Sequence, residues 1–259
     1  MIKRLENVII TGGAGFIGSN LAKIIESYVD GSIYVIDTFG KNINSCATHG
    51  SFQNLNSLNC IPIAGDVRNL NELIFDSIDG SVSAIFHLAA ISDTTSEDQN
   101  TVIDVNLNSF FKIQKICDKF SCPLIYASSG SVYGNEIKEY NSIGSEAPNN
   151  VYGFSKYSMD KVSKKQKFLT KEGNKLIGLR FFNVYGPNEG YKGSAASMIW
   201  QIYNQLQKNG VCKLFEGSQN IVRDFVYVDD VCSGLISSLE ENGGIYNVGS
   251  GIPRSFQDV

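Results

Sequence analysis

Residues 8–20, VIITGGAGFIGSN, constrain this chain more than any other stretch. A short apolar run that reads as a buried strand leads into Gly12, Gly15 and Gly18, spaced three apart, and the residues that follow read as a helix. Each glycine has its own task in such a turn. The first allows the chain to reverse tightly, the second lets backbone approach a pyrophosphate, and the third lets the helix pack on the strand. The helix N-terminus then faces the phosphates with unpaired N–H groups. Phe16 and Ile17, inside the same loop, belong to the same predicted dinucleotide site. A glycine trio alone is equally an ordinary strand-to-helix turn. Asp37 removes much of that ambiguity, because it closes the next candidate strand, 19 residues beyond Gly18, where a carboxylate accepts hydrogen bonds from an adenosine ribose.

The rest of the chain repeats the pattern. Apolar runs at 7–11, 32–37, 60–64, 84–88, 123–128 and 176–181 are rich in Val, Ile and Phe and show little alternation, as strands buried on both faces do. Between them, helices are predicted near 16–28, 69–78, 98–120, 152–170 and 194–209. Alternating strands and helices specify an α/β fold, a doubly wound parallel sheet with right-handed crossovers. Residues 40–59 and 135–150 are polar and read as loops. After Phe181 the alternation weakens. The domains expected are 1–180 plus 222–248 for dinucleotide binding, and 181–221 plus 249–259 as a small C-terminal substrate-binding subdomain. Residues 223–230 read as a strand leading into a helix that returns to the main sheet. The final stretch reads as the start of a new helix with little to pack against, as if curtailed.

ASSGSVYG (127–134) and NVYGFSK (150–156) carry the second signal. Tyr152 and Lys156 lie four residues apart, which puts both on one helix face. A phenol is a poor base at neutral pH. A neighbouring ammonium and a positive nicotinamide are expected to lower its pKa. Lys156 would also hold the nicotinamide ribose, and Ser129, ending a strand, would hydrogen-bond the reacting oxygen. This group moves a proton beside a dinucleotide, which implies redox chemistry at a hydroxyl carbon. His87, at the end of another strand, reads as a packed histidine rather than a catalytic one.

Which dinucleotide binds is less settled. Asp37 favours NAD, yet Thr38 and Lys41 follow it, and a cation there would pair with the 2′-phosphate of NADP. Lys41 is as readily a solvated loop lysine. Asp66, with Val67 beside it in AGDVRN, is predicted to hold the adenine edge, the alternative being a surface turn.

The 259 residues are 42% hydrophobic with a net charge of −4, which gives no electrostatic case for nucleic acid or an anionic membrane. No run is apolar and long enough to span a bilayer, and the N-terminus does not read as a signal peptide. The six cysteines show no metal-ligand spacing, so free thiols in a reducing cytosol are expected and a metal site is not.

TGGAGFIGSN, FHLAA, ASSGSVYG, YGFSK and RFFNVYGP together resemble the extended short-chain dehydrogenase/reductases, also known as the NAD-dependent epimerase/dehydratase family. The resemblance spans essentially the whole chain. It implies a Rossmann domain with a small substrate domain, a nucleotide-diphospho-sugar substrate, and a cytoplasmic homo-oligomer. By matching positions, Ser129, Tyr152 and Lys156 would be catalytic, and Leu88, Ala89, Ala90, Ser92, Asn106 and Val184 would line the cofactor site. FFNVYGPNEGYKGSAAS, KLFEGSQNIVRDFVYVDDV and YNVGSGIPRSFQ are similar, more narrowly, to the ADP-glycero-manno-heptose 6-epimerases of lipopolysaccharide synthesis. The KGS in the first of these is the specific part. It implies epimerisation at C6″ by transient oxidation with bound NADP, NAD remaining open, and makes Lys192 a second acid/base opposite Tyr152. A flexible loop lysine is the alternative. The resemblance further implies that Asn183 and Ser194 position the sugar diphosphate, that Phe215, Glu216, Gly217 and Ser218 contact the nucleotide, and that Arg223 forks onto a phosphate, unless it braces Asp224 or Asp230 instead. Gln201 stands where relatives carry a histidine that contacts substrate.

Overall fold

The computed structural model describes residues 3–70, 75–76, 78–134 and 144–259. Its centre is a sheet of seven parallel strands: β1 (Asn7–Thr11), β2 (Ile33–Asp37), β5 (Ile61–Ala64), β6 (Val82–His87), β7 (Leu124–Ser129), β8 (Leu176–Phe181) and β11 (Gly244–Val248), in the order β11-β8-β7-β6-β1-β2-β5. All six ladders are parallel. The strand order reverses between β1 and β6. The chain leaves β1 in one direction through β2 and β5, and leaves β6 in the other, which opens a crevice at their carboxyl ends.

The central strands carry apolar residues on both faces because both are covered. On one face α1 (Phe16–Ile25) and α6 (Val228–Ser237) pack through Leu21, Ile25, Val231 and Leu235. On the other, α3 (Ser109–Phe120) and α4 (Val151–Lys165) pack through Phe110, Ile113, Cys117 and Met159. The predicted helix at 98–120 is interrupted. A first turn, α2 (Gln99–Ile103), passes into a π-helical stretch at Asp104–Asn108 before α3 begins. The helix predicted at 152–170 stops at Lys165, because Lys167 and Phe168 take positive φ and reverse the chain. Most of the predicted 69–78 helix lies outside the described residues, Phe75 and Asp76 being helical.

A second sheet, β12-β10-β9, is built from β9 (Asn183–Tyr185), β10 (Val222–Tyr227) and β12 (Pro253–Ser255). The helix after β10 does return to the large sheet, where α6 packs on α1. The strand itself does not. Residues 222–227, expected with the dinucleotide-binding part, pair only within the small sheet. The C-terminal stretch also differs from expectation. Residues 253–255 form an antiparallel edge against Val222–Asp224 instead of a helix, and Phe256 meets Phe225 with ring centroids 6.2 Å apart. The reason is local: β10 has an open edge to satisfy, and Pro253 suits the start of an edge strand. Residues 40–59, predicted as a loop, contain a hairpin of β3 (Asn42–Ile43) and β4 (Cys46–Ala47). No described helix is long and apolar enough to cross a membrane.

Candidate active site

A cavity of about 470 Å³ occupies the crevice at the carboxyl ends of β1 and β6. The glycine loop forms one wall. Gly12 has φ +69°, and a Cβ there would stand 2.6 Å from the Ala89 nitrogen. A Cβ at Gly18 would stand 2.3 Å from the Gly12 oxygen, so the helix approaches the loop as closely as the spacing predicted. Gly15 faces the cavity as the N-cap of α1, and no side chain caps the helix there. Its first-turn N–H groups are therefore available to an anion. A dinucleotide pyrophosphate fits this cradle.

Asp37 ends β2 and lines the same cavity. Its carboxylate accepts from the Ala14 N–H at 3.1 Å and the Phe39 N–H at 3.3 Å. Burial raises its pKa, against the pull of those amides. Thr38, Val67, Leu88, Ala89, Ala90, Ser92 and Val184 line the cavity with Phe16 and Ile17, as expected. Three expected neighbours do not. Lys41 is exposed beside the hairpin, away from the cavity. Asp66 is forked by Arg68, with Nη2 to Oδ2 at 2.8 Å, so its carboxylate is already engaged. Asn106 sits in the π-helical stretch, buried. It accepts from the Ile91 N–H at 2.9 Å and donates to the Ile91 carbonyl at 3.0 Å and Ser155 Oγ at 2.9 Å. Asn106 thus pins the 88–92 segment to α4 from behind, without reaching the cavity.

Ser129, Tyr152 and Lys156 come together at the cavity. β7 delivers Ser129. The Asn150 side chain caps α4, accepting from the Gly153 N–H at 2.8 Å, and so sets Tyr152 in the first turn. The Ser129 side chain lies near enough to the Tyr152 phenol to influence its ionisation. Burial raises the phenol pKa, and Ser129 only partly opposes it. The sequence expectation of a lowered phenol is therefore not met in the free protein, where dehydration outweighs the Ser129 contact. The Lys156 ammonium stands 6.0 Å from the Tyr152 ring centroid, and burial lowers its pKa to about 8, against Asp160. His87 is packed as predicted: Nδ1 meets Thr11 Oγ1 at 2.7 Å, and burial followed by the Lys156 charge pushes its pKa down to about 3.

Lys192 lines the same cavity, on the 3₁₀ turn Gly190–Ala195 that precedes α5 (Met198–Asn209). Burial lowers its pKa, with Glu189 opposing. Glu189 is buried and closes this turn at both ends, accepting from the Gly186 N–H at 3.0 Å and the Ser197 N–H at 2.8 Å. Of the predicted substrate contacts, Asn183 lines the cavity with Lys192 and Ser129. Ser194 is exposed outside it, and Gln201 donates to the Gly193 carbonyl at 2.9 Å. Phe215, Glu216, Gly217 and Ser218 also lie off the cavity, Ser218 buried and the side chains of Phe215 and Glu216 in solvent. Arg223 donates to the Val222 carbonyl at 2.8 Å and, among the described residues, pairs with no carboxylate; Asp224 accepts instead from the Ser250 and Gly251 N–H groups.

Sequence reasoning missed the 48–50 segment. Thr48, His49 and Gly50 line the cavity, because the following residues fold back onto the glycine loop: the Ser51 N–H and Asn54 Nδ2 both donate to the Ala14 carbonyl, at 3.0 and 2.9 Å. Burial, then the Lys192 charge, lowers the His49 pKa, against Asp93 and a contact to the Tyr191 backbone. The polar composition of 40–59 held no signal for this. Ala195, Ala196, Met198, Phe225 and Phe256 complete the wall.

Residues 8–249 match the model of the NAD dependent epimerase/dehydratase family. The chain belongs to that family. It is similar to the ADP-L-glycero-D-manno-heptose-6-epimerase of Helicobacter pylori, with 37% identity over 98% of this chain and 79% of that one, and a TM-score of 0.87. It is also similar to a UDP-N-acetylglucosamine 4-epimerase of Methanobrevibacter ruminantium solved with UDP-N-acetylmuramic acid, at 25% identity over 99% and 80%, TM-score 0.83. A UDP-glucose 4-epimerase of Thermus thermophilus in complex with NAD aligns at 26% identity over 97% and 80%, TM-score 0.78. The sheet order and crevice described above are the Rossmann arrangement of this family, and the chain is an enzyme of the epimerase/dehydratase type.

Proposed function

We propose that this enzyme inverts C6″ of a nucleotide-diphospho-heptose, converting ADP-D-glycero-D-manno-heptose to its L-glycero epimer through a 6″-ketone. The observation that carries this reading is that Tyr152 and Lys192, brought by two separate elements, α4 and the turn before α5, line one cavity. The similarity to the H. pylori enzyme supports the choice of sugar.

The α1 N-terminus at Gly15 would hold the dinucleotide pyrophosphate, Asp37 the adenosine ribose and Lys156 the nicotinamide ribose. Asp37 faces the cavity while Lys41 lies off it, which favours NAD over the NADP expected from sequence. A dinucleotide bound there would supply the hydride acceptor and donor for the carbinol carbon. The chain's own residues handle the proton. Tyr152, beside Ser129, serves one orientation of the sugar, with the Lys156 charge favouring the phenolate. Lys192 serves the other, and its lowered pKa gives a larger share of free amine. Turning the ketone between two proton donors exposes its second face. The dinucleotide-binding part would comprise 1–180 plus 222–248, and the sugar part 181–221 plus 249–259, with the reaction in the cytoplasm.

The test is incubation with ADP-D-glycero-D-manno-heptose without added cofactor, the 6″ epimers being resolved by chromatography. The L-glycero epimer is expected. Conversion of UDP-glucose or UDP-N-acetylglucosamine, with no action on the heptose even when NAD is supplied, would replace this reading with a 4-epimerase.

A further inference from the structure

Among the described residues Arg180 is the largest fully buried side chain, 1% exposed in β8, yet it lies outside the cavity. A guanidinium is retained in such a place only with its charge and donors satisfied. Three elements satisfy this one. Nε donates to Asp160 of α4 at 2.8 Å, Nη2 to Glu146 of the loop before α4 at 2.8 Å, and Nη1 to the Tyr133 hydroxyl at 2.8 Å. Asp160 is itself fully enclosed and accepts from the Tyr126 hydroxyl at 3.1 Å and Ser128 Oγ at 3.0 Å. It also stands one helical turn beyond Lys156, so both face the same side of α4.

The charges form a closed set. Lys156 and Arg180 are two buried cations, Asp160 is a buried anion, and Glu146 is a half-buried one whose side chain is 6% exposed against Arg180. Asp160 pairs with Arg180 and stands one helical turn from Lys156 in the same dehydrated region. If Glu146 were neutral, Arg180 would be offset by Asp160 alone, and the summed field of the set on Lys156 would favour its ammonium less. We propose that Glu146 and Asp160 are positioning residues that keep Lys156 an ammonium inside the cavity, Glu146 acting through Arg180 and Asp160. This builds on the reading of Lys156 as the group that holds the nicotinamide ribose.

The other groups facing Lys156 do not substitute for this set. From its own helix comes Tyr152, and from β6 the neutral His87. Asp160 is the carboxylate that opposes the effect of burial on Lys156. Burial raises the Glu146 carboxyl, but the hydrogen bond and charge of Arg180 outweigh it and hold the group ionised. Glu146 reaches Arg180 from the residues just before the Asn150 cap. The seating of this loop would therefore set the proton on Lys156, although no atom of Glu146 lines the site.

The experiment is NAD⁺ affinity measured by calorimetry from about pH 6 to 10 for the wild type, Glu146→Gln, Glu146→Asp and Asp160→Asn. Wild-type affinity is expected to fall on the alkaline side as Lys156 loses its proton. In Glu146→Gln that fall moves down by about half a pH unit or more, and in Asp160→Asn by about one unit or more, the range for loss of a close opposite charge. Glu146→Asp returns it toward wild type. An alkaline limb that stays in place in Glu146→Gln overturns the proposal and leaves the network a purely structural one, whatever happens to thermal stability. Glu146→Gln preserves shape and can still accept from Arg180, so the test survives if Asp160→Asn does not fold. Because the readout needs no sugar, failure of the heptose assignment and failure of this inference are separately visible.

Discussion

The Lys192 ammonium lies 5.6 Å from the centroid of the Phe16 ring, which joins the turn before α5 to the first residue of α1. The glycine loop thus touches the second proposed proton donor directly. An aromatic face attracts a cation without fixing its proton, and the contact orients Lys192 into the cavity. Lys192→Ala is expected to abolish epimerisation. Phe16→Leu keeps the packing but loses the quadrupole, and turnover should fall several-fold with dinucleotide affinity little changed. Steady-state epimerisation kinetics beside NAD⁺ calorimetry separate the two effects.

Tyr152→Phe removes the phenol hydroxyl beside Ser129 while leaving the ring in place. Turnover should drop about 10²–10⁴-fold, the range for one positioned acid/base. A variant that keeps near-wild-type turnover would remove Tyr152 from the reaction.

Asp37 places a carboxylate at the adenosine end of the cavity, and Lys41 is not there to offset it. A 2′-phosphate would meet that charge at close range. NAD⁺ should bind at least about tenfold more tightly than NADP⁺, a difference of about 1.4 kcal/mol. Asp37→Asn should narrow the gap by weakening NAD⁺ more than NADP⁺. Calorimetry with both dinucleotides checks this.

His87 is held neutral by burial, with its pKa near 3 against an ordinary 6.5. Between those values the unfolded chain binds a proton that the folded one does not, so stability falls as pH drops below 6.5. The loss reaches about 5 kcal/mol near pH 3 and is absent above pH 7. Urea unfolding between pH 7 and 4 should show this slope, and His87→Gln should flatten it.

Gly18→Ala places a methyl group 2.3 Å from the Gly12 oxygen and 2.6 Å from the Gly13 Cα, both backbone atoms that the loop holds in place. The turn must open to admit it. A loss of about 1–3 kcal/mol in denaturant unfolding is expected, together with weakened dinucleotide binding.

The strands, the glycine turn, Asp37 and the Ser129, Tyr152 and Lys156 group were all legible in the sequence. Their signals are local: unbroken apolar runs, three glycines at fixed spacing, and two side chains one helical turn apart. A parallel sheet then carries such strand ends to one edge with little freedom. The sequence by itself therefore determined the α/β fold and one wall of the cavity.

Only the tertiary structure decided the rest. Residues 48–50 face the cavity because Ser51 and Asn54 bond to a backbone carbonyl at Ala14, a contact between backbone and distant side chain that leaves no periodic mark. β12 forms because β10 has an edge to cover. Asp66 and Arg223 have the right chemistry for ligands, but Arg68 engages the first and the second does not line the cavity. Arg180 looked like one residue of a strand until Asp160 and Glu146 were found around it. Side-chain type is written in the sequence. Which charges share one dehydrated space is fixed only when distant segments pack, because burial is a property of the assembled fold.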